Sequence, residues 1–258
     1  MRRRGITPLE FADTHCHLGQ DGEDDAATIA RARSAGVVFL LDVGIDLATS
    51  QRAAVRAATH DGVRFACGLH PNSASRWRSE SDGIAALAAD PRCAAIGETG
   101  LDFHWNESPH EVQRAAFAAQ LDLGVQLDKP VVVHARKALA EVFDVIAAHP
   151  LARVVLHCFA GDEHDAARAV GLGCHVSFAG PITYPKADAL RRAARVVPGE
   201  LLLVETDAPF LPPQSRRGGR NEPALVVEIA ERLARERGED FAALAARTTA
   251  NARALFGF

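Results

Sequence analysis

The stretch CAAIGETGLD (residues 93–102) is a short apolar run that leads into a glutamate. Residues 93–110 contain no arginine or lysine that could pair with Glu98. Because an unpaired charge at the end of a buried strand is costly, this carboxylate is either solvated or holds a cation. The residues at the ends of the other predicted strands decide between the two possibilities.

Seven further runs of this kind occur along the chain, near-continuous in Val, Ile, Leu, Ala and Cys, as is typical of strands buried on both faces. The pattern predicts eight strands, over residues 11–18, 37–44, 63–70, 93–98, 130–134, 153–159, 175–178 and 201–207. Alanine-rich amphipathic stretches between them predict helices over residues 24–35, 47–59, 81–89, 108–127, 139–149, 162–171 and 185–195, followed by 222–238 and 241–255.

This alternation over 258 residues predicts an α/β fold, a (β/α)₈ TIM barrel. A doubly wound open sheet is the alternative. We expect a single domain over residues 1–258, because the only linker-like segment, 212–219, is too short to separate domains. Residues 1–9 are expected to form a loose N-terminal tail.

The composition is that of an ordinary globular protein, with 48% hydrophobic and 24% charged residues. A net charge of −4 argues against a strong, sequence-blind nucleic-acid binder, but not against an enzyme that holds a short nucleic acid in a locally basic cleft. No apolar run approaches the roughly 20 residues of a membrane span, and none follows the arginines at 2–4 as in a signal peptide. We therefore expect a cytoplasmic protein without membrane association.

Metal-ligating residue types stand at the ends of five predicted strands, where the active sites of barrels form. The first strand ends in DTHCH (13–17), and residues two apart in a strand point to the same face. The full set is His15, His17, Glu98, His134, His157 and Asp207. Four histidines and two carboxylates are too many for one tetrahedral zinc, but they fit two ions with a shared carboxylate, an arrangement used to hydrolyse phosphate esters. We predict that Glu98 is the bridging ligand.

Seven motifs resemble those of the TatD family of metal-dependent deoxyribonucleases, within the amidohydrolase-like barrel enzymes. They are DTHCHL (13–18), GLHP (68–71), IGETGLDF (96–103), VVVHAR (131–136), LHCFAG (156–161), ETDAP (205–209) and RNEP (220–223). The resemblance implies that His15, His17, Glu98 and Asp207 hold one ion, and that Glu98, His134 and His157 hold a second. It implies magnesium or manganese in function, with zinc plausible in crystals, and cleavage of single-stranded DNA from the 3′ end.

The sequence departs from the family pattern in the loop after the motif IGETGLDF (96–103). His104 and Trp105 stand where family members more usually have an aromatic residue and then an arginine or lysine. The substrate contacts of this loop therefore cannot be carried over from the family.

Three carboxylates are predicted to be catalytic. Asp207 would take the proton of a bridging water while remaining a ligand, and Glu98 would join the two ions. Glu205 lies two positions before Asp207, on the same strand face, and would orient a ligand histidine or pair with Arg136.

Five residues are predicted to bind substrate: His70, Arg136, Arg216, Arg217 and Arg220. His70 either contacts a phosphate or holds its loop by a hydrogen bond. The three arginines around Gly218 and Gly219 either bind a nucleic-acid backbone or lie in a solvated loop.

Two other classes of function remain open. The same barrel and ligand set can hydrolyse an amide, a lactone or an aminoacyl ester. Many amidohydrolases carry a carboxylated lysine on the fourth strand, so Glu98 favours the nuclease. A non-catalytic metal-binding scaffold is the third class, and the intact ligand set speaks against it. The expected partners are DNA ends or oligonucleotides as substrate, with no obligatory protein partner.

Overall fold

The computed structural model describes residues 8–22 and 24–258 of the chain. These residues form eight parallel strands that pair in chain order, which confirms the predicted barrel. The strands are β1 Phe11–Cys16, β2 Val37–Val43, β3 Val63–Cys67, β4 Cys93–Asp102, β5 Val131–Arg136, β6 Val154–Leu156, β7 His175–Phe178 and β8 Leu202–Val204. The helices are α1 Asp25–Ser34, α2 Leu47–Thr59, α3 Trp77–Ala88, α4 His110–Gln126, α5 Leu139–Ala147, α6 Glu163–Gly171, α7 Asp188–Val196, α8 Val226–Arg237 and α9 Phe241–Phe256.

The barrel closes where β1 meets the segment that follows β8. Cys16 and Ala208 form a parallel bridge, and the amide of His17 donates to the carbonyl of Ala208 at 2.7 Å. One step away, the amide of Asp207 donates to the carbonyl of His15 at 2.9 Å. The first and last strands are therefore joined, and the open-sheet alternative is wrong.

Apolar side chains fill one end of the barrel. Phe39, Leu41 and Val43 alternate along β2 and pack with small and branched residues of the other strands. The end of α9 covers them, since the Phe39 ring stacks on Phe256 at 5.9 Å and on Phe258 at 3.9 Å between centroids. This leaves the opposite, carboxyl end of the strands for polar residues.

The third strand ends earlier than predicted. β3 stops at Cys67. Two residues later, the Leu69 amide donates to Oε1 of Gln120, a residue of α4, at 2.8 Å. A short 3₁₀ turn, Pro71–Arg76, then leads into α3, which begins at Trp77 rather than at residue 81 because Trp77 packs against the core.

The prediction that the fourth strand ends at Glu98 is wrong, because β4 continues to Asp102. Gly97 and Gly100 have φ values of 131° and 128°, which residues with a side chain rarely adopt. The register against β5 shifts between Ile96 and Thr99. The two glycines let the strand bend and continue, so Glu98 lies inside a strand.

None of the helices in residues 8–22 and 24–258 has the length and apolarity needed to cross a bilayer. Seven of the nine residues of the predicted N-terminal tail lie outside the described part of the chain. That residues 1–258 form one domain stays a prediction.

Candidate metal centre

The histidines of β1 converge on Asp207. The Nε2 atoms of His15 and His17 lie 3.2 Å apart, and Oδ1 of Asp207 lies 3.8 Å from the first and 3.7 Å from the second. Nδ1 of His17 lies 2.7 Å from the carbonyl oxygen of Val43. Because that contact requires a proton on Nδ1, Nε2 is the nitrogen of His17 that can act as a ligand.

Glu98 directs its two oxygens to two different pairs of histidines. Oε2 lies 3.4 Å from Nε2 of His15 and 3.7 Å from Nε2 of His17. Oε1 lies 2.9 Å from Nδ1 of His134 and 2.9 Å from Nε2 of His157. This is the disposition that a carboxylate shared by two ions requires.

Outer carboxylates determine which ring nitrogens of His134 and His157 face Glu98. Nε2 of His134 lies 3.3 Å from Oδ2 of Asp102, and Nδ1 of His157 lies 3.3 Å from Oε1 of Glu205. The same Glu205 oxygen accepts from the amide of Cys158 at 2.6 Å. If an ion takes the place of the proton between each inner nitrogen and Glu98, the outer nitrogens still donate to Asp102 and Glu205 and the inner ones become ligands. Of the two roles predicted for Glu205, the contact with a ligand histidine is the one present.

The charge balance of the cluster fits divalent cations. Glu98 and Asp207 are buried, and in neutral imidazoles the inner nitrogens of His17, His134 and His157 present lone pairs to carboxylate oxygens. Burial lowers the pKa of His157, but Glu98 and Glu205 outweigh burial and raise that pKa well above its usual value. The two carboxylates therefore require positive charge beside them, which protons or metal ions can supply. Imidazole and carboxylate together suit zinc and manganese, and carboxylates suit magnesium.

Asp102 is a site residue that sequence reasoning missed. It is buried at the end of β4, where Oδ1 accepts from the amides of His104 and Trp105 at 2.8 and 3.1 Å while Oδ2 faces His134. Burial raises the pKa of this carboxyl group, but the hydrogen bonds from His134 and the two amides lower it below the usual range. The available signal was its even spacing from Glu98 along a strand.

Asp13 was also missed, although it belongs to the first motif. Its carboxylate accepts from the Thr206 amide at 2.8 Å and from the Thr206 hydroxyl at 2.5 Å. Burial raises the pKa of Asp13 to about 8. These contacts hold the segment between Glu205 and Asp207 against β1, and so place Asp207 beside His15.

His70 reaches the centre from the loop after β3. Its Nδ1 accepts from the amide of Asn72 at 3.2 Å, which leaves the proton of the neutral ring on Nε2, 3.6 Å from Oε1 of Glu98. Burial lowers the pKa of His70 to about 4, so the ring is neutral near pH 7. Of the two roles predicted for His70, the hydrogen bond within its loop is present, and the contact with a phosphate stays a prediction.

The four predicted substrate-binding arginines lie outside the cluster. Arg136 is exposed at the end of β5, with its guanidinium 5.4 Å from the centroid of Trp105. Arg217 lies 4.2 Å from the Tyr184 ring centroid, and Arg220 donates to the carbonyl of Gln20 at 2.8 Å. Arg216 is exposed at the end of a 3₁₀ turn, Gln214–Arg216. Within residues 8–22 and 24–258, Arg136 has no carboxylate partner.

Comparison with known proteins agrees with this geometry. The family model for TatD related DNase matches residues 12–257. The chain is 38% identical over 252 residues to a protein of Escherichia coli (strain K12) named 3′-5′ ssDNA/RNA exonuclease TatD, covering 95% of this chain and 96% of that one. It is 34% identical over 249 residues to a metal-dependent hydrolase of Bacillus subtilis, YabD, covering 95% and 98%.

Among solved structures, the crystal structure of YJJV, a TatD homologue from Escherichia coli K12, superposes with a TM-score of 0.88 at 30% identity, covering 96% of this chain and 98% of that one. The region matched by the family model includes the barrel strands, apart from Phe11 at the start of β1, and all six residues of the candidate centre. The chain belongs to the TatD family of metal-dependent hydrolases.

Proposed function

We propose that the protein is a two-metal phosphodiesterase that removes nucleotides from the 3′ ends of single-stranded DNA or RNA. The observation that carries this proposal is the position of the Glu98 carboxylate between two histidine pairs. One oxygen faces His15 and His17, and the other faces His134 and His157. The relatives named 3′-5′ ssDNA/RNA exonuclease TatD support the choice of substrate.

In this proposal His15, His17, Asp207 and Glu98 hold one divalent ion, and Glu98, His134 and His157 hold the other. The ions would supply positive charge to the scissile phosphate and lower the pKa of water. Magnesium or manganese is the functional metal, and the four imidazoles would also accept zinc.

Asp207 accepts the proton of the attacking water. Its Oδ1 lies beside the two β1 histidines, and burial raises the pKa of its carboxyl group to about 6. A bound divalent ion would lower this pKa, so the assignment of Asp207 as the base rests on its position beside the two β1 histidines.

The other residues bind substrate or position ligands. The Nε2–H of His70 donates to a phosphate oxygen, since Asn72 fixes the proton on that nitrogen. Asp102 and Glu205 act as positioning residues through His134 and His157. Arg136, Arg216, Arg217 and Arg220 contact the phosphates of the strand outside the centre.

The test uses metal-stripped protein with single-stranded DNA and RNA oligomers labelled at either end, a DNA duplex, and an aminoacyl ester. Magnesium, manganese or zinc is added back to each. We expect metal-dependent stepwise shortening from the 3′ end, faster on single strands than on the duplex.

Two variants control this experiment. His15→Ala should abolish cleavage, and His164→Ala, at an exposed position of α6, should leave it unchanged. Hydrolysis of the ester without cleavage of any phosphodiester would contradict the nuclease proposal and support an amide or ester hydrolase instead.

A further inference from the structure

Trp105 is a large aromatic side chain left open at the rim of the metal centre. It is 58% exposed, although burial of an indole is strongly favourable. Arg136 lies over the ring at 5.4 Å from its centroid, and His104 contacts its edge at 4.8 Å between centroids. A single exposed aromatic residue is common on protein surfaces, but an indole beside the metal centre with a cation over its ring offers a surface for stacking.

The loop that carries Trp105 is held in place before any ligand binds. The amides of His104 and Trp105 both donate to Oδ1 of Asp102. On the far side, the side-chain oxygen of Asn106 lies 2.6 Å from Nε2 of His110, whose ring stacks on Phe103 at 3.7 Å between centroids. A ligand that stacks on Trp105 therefore loses little binding free energy to ordering of the loop.

The same carboxylate connects the loop to the centre. Oδ2 of Asp102 lies 3.3 Å from Nε2 of His134, and Nδ1 of His134 lies 2.9 Å from Glu98. The backbone of Trp105 is thus linked to Glu98 through one aspartate and one imidazole, and Arg136 and His104 contact its indole. A base stacked on Trp105 would then belong to a nucleotide next to the phosphate bound at the centre.

We propose that Trp105 is the stacking platform for an unpaired nucleobase next to the scissile phosphodiester, with Arg136 holding the indole in position and contacting the adjoining phosphate. This inference rests on the proposed function and makes its substrate class more specific. Every base has a flat π-face, so stacking selects no sequence. A base inside a duplex has both faces covered, so the platform selects single-stranded ends.

A cycle that combines a protein change with a substrate change tests the platform. Wild type and Trp105→Ala are compared on a single-stranded DNA 12-mer and on 12-mers with one abasic residue at each of the last three 3′ positions. On the normal oligomer, Trp105→Ala should lower kcat/KM by about ten- to a hundredfold. At one abasic position, wild type should lose the same factor, and the two proteins should differ by less than about threefold.

Two control variants separate stacking from stability. Trp105→Phe retains an aromatic face and should recover most of the loss. Leu151→Ala, at an exposed apolar residue before β6 and so at the opposite end of the barrel, should not change kcat/KM. Equal losses for Trp105→Ala on the normal and on every abasic oligomer would overturn the proposal, since they would mean a structural role.

Fluorescence tests the platform independently of hydrolysis. The chain has two tryptophans, so Trp77→Phe in an Asp207→Asn background leaves Trp105 as the only indole and slows consumption of the oligomer. Its emission should be quenched by a thymidine 12-mer and not by a fully abasic 12-mer. If Trp77→Phe fails to fold, the difference in emission between Asp207→Asn and Asp207→Asn with Trp105→Phe gives the same readout.

The outcomes distinguish the two proposals. A protein that cleaves no phosphodiester, yet shows base-dependent quenching, contradicts the proposed reaction and leaves the platform intact. A protein that cleaves single strands without base-dependent quenching and without coupling in the cycle contradicts the platform alone.

Discussion

Oδ2 of Asp102 lies 3.3 Å from Nε2 of His134, and this contact fixes which nitrogen of the ring faces Glu98. Asp102→Asn removes the negative charge that holds the N–H, while an amide oxygen can still accept from the loop amides. We expect metal affinity to fall by about 10–100-fold, as is usual when the outer partner of a ligand histidine is lost. Excess metal should then restore kcat.

A metal titration followed by calorimetry and by activity measures this effect. Asp144→Asn is the matched control, because Asp144 is exposed on α5 and pairs only with Arg168 among the described residues. If Asp102→Asn binds metal as tightly as wild type, the contact with His134 does not contribute to metal binding.

Asp207 combines two tasks, ligand and base, and Asp207→Asn separates them. A neutral amide is a poorer ligand, which excess metal can offset, but it cannot accept a proton near neutral pH. We expect a folded variant that still binds at least one ion and is at least about a hundredfold slow at saturating metal. Recovery to within tenfold of wild type would reduce Asp207 to a plain ligand.

The expected number of ions follows from the two carboxylate oxygens of Glu98, each of which faces a different pair of histidines. We expect two divalent ions per chain by elemental analysis after metal loading, and complete loss of hydrolysis with a chelator. His134→Ala should reduce the content to about one ion, because it removes one of the three proposed ligands of the second site. Full activity after chelation would contradict the metal-dependent reaction, and an unchanged two ions in His134→Ala would contradict the assignment of the second site.

Arg136→Ala tests the role of the rim cation. Arg136 stacks on Trp105 without a carboxylate partner in the described part of the chain, so its charge is available to a phosphate. Loss of a charge-assisted hydrogen bond should raise KM for a DNA oligomer by about tenfold or more, with metal content unchanged.

Arg168 offers a matched control for that variant, because it also lies over an aromatic ring, 5.0 Å from the centroid of Phe143, but on the outer helices. Arg168→Ala should leave KM unaltered. The same KM in Arg136→Ala as in wild type would mean that Arg136 is structural.

Much of the fold and of the cluster was visible in the sequence because both depend on local patterns. Apolar runs predicted all eight strands. The histidines at the ends of these runs, His15, His17, His134 and His157, were predicted to lie together, and all four lie around Glu98. The extent of β4 was not predictable, since glutamate after glycine is typical of a strand end. Only the backbone angles of Gly97 and Gly100 show that the strand continues.

Asp102, the outer partner of His134, escaped prediction for another physical reason, whereas the contact of Glu205 with a ligand histidine was predicted. The role of Asp102 depends on the orientation of the His134 ring, 32 residues away, and the proton position in His70 depends on the backbone amide of Asn72. Residue type and spacing determine neither. The arginines after β8 were recognisable as a basic loop, but their stacking and loop contacts come only from the packed structure.

The seam of the barrel has a consequence for how the protein matures. Thr14 and Val204, 190 residues apart along the chain, are joined there by a hydrogen bond, and His15 and Asp207 lie in the same seam. Half of the centre therefore cannot exist until the chain has been synthesised beyond Asp207 and the last strand has docked on the first. A partly folded chain would therefore lack a complete metal centre, and an ion bound between β1 and the segment after β8 would slow reopening of the barrel.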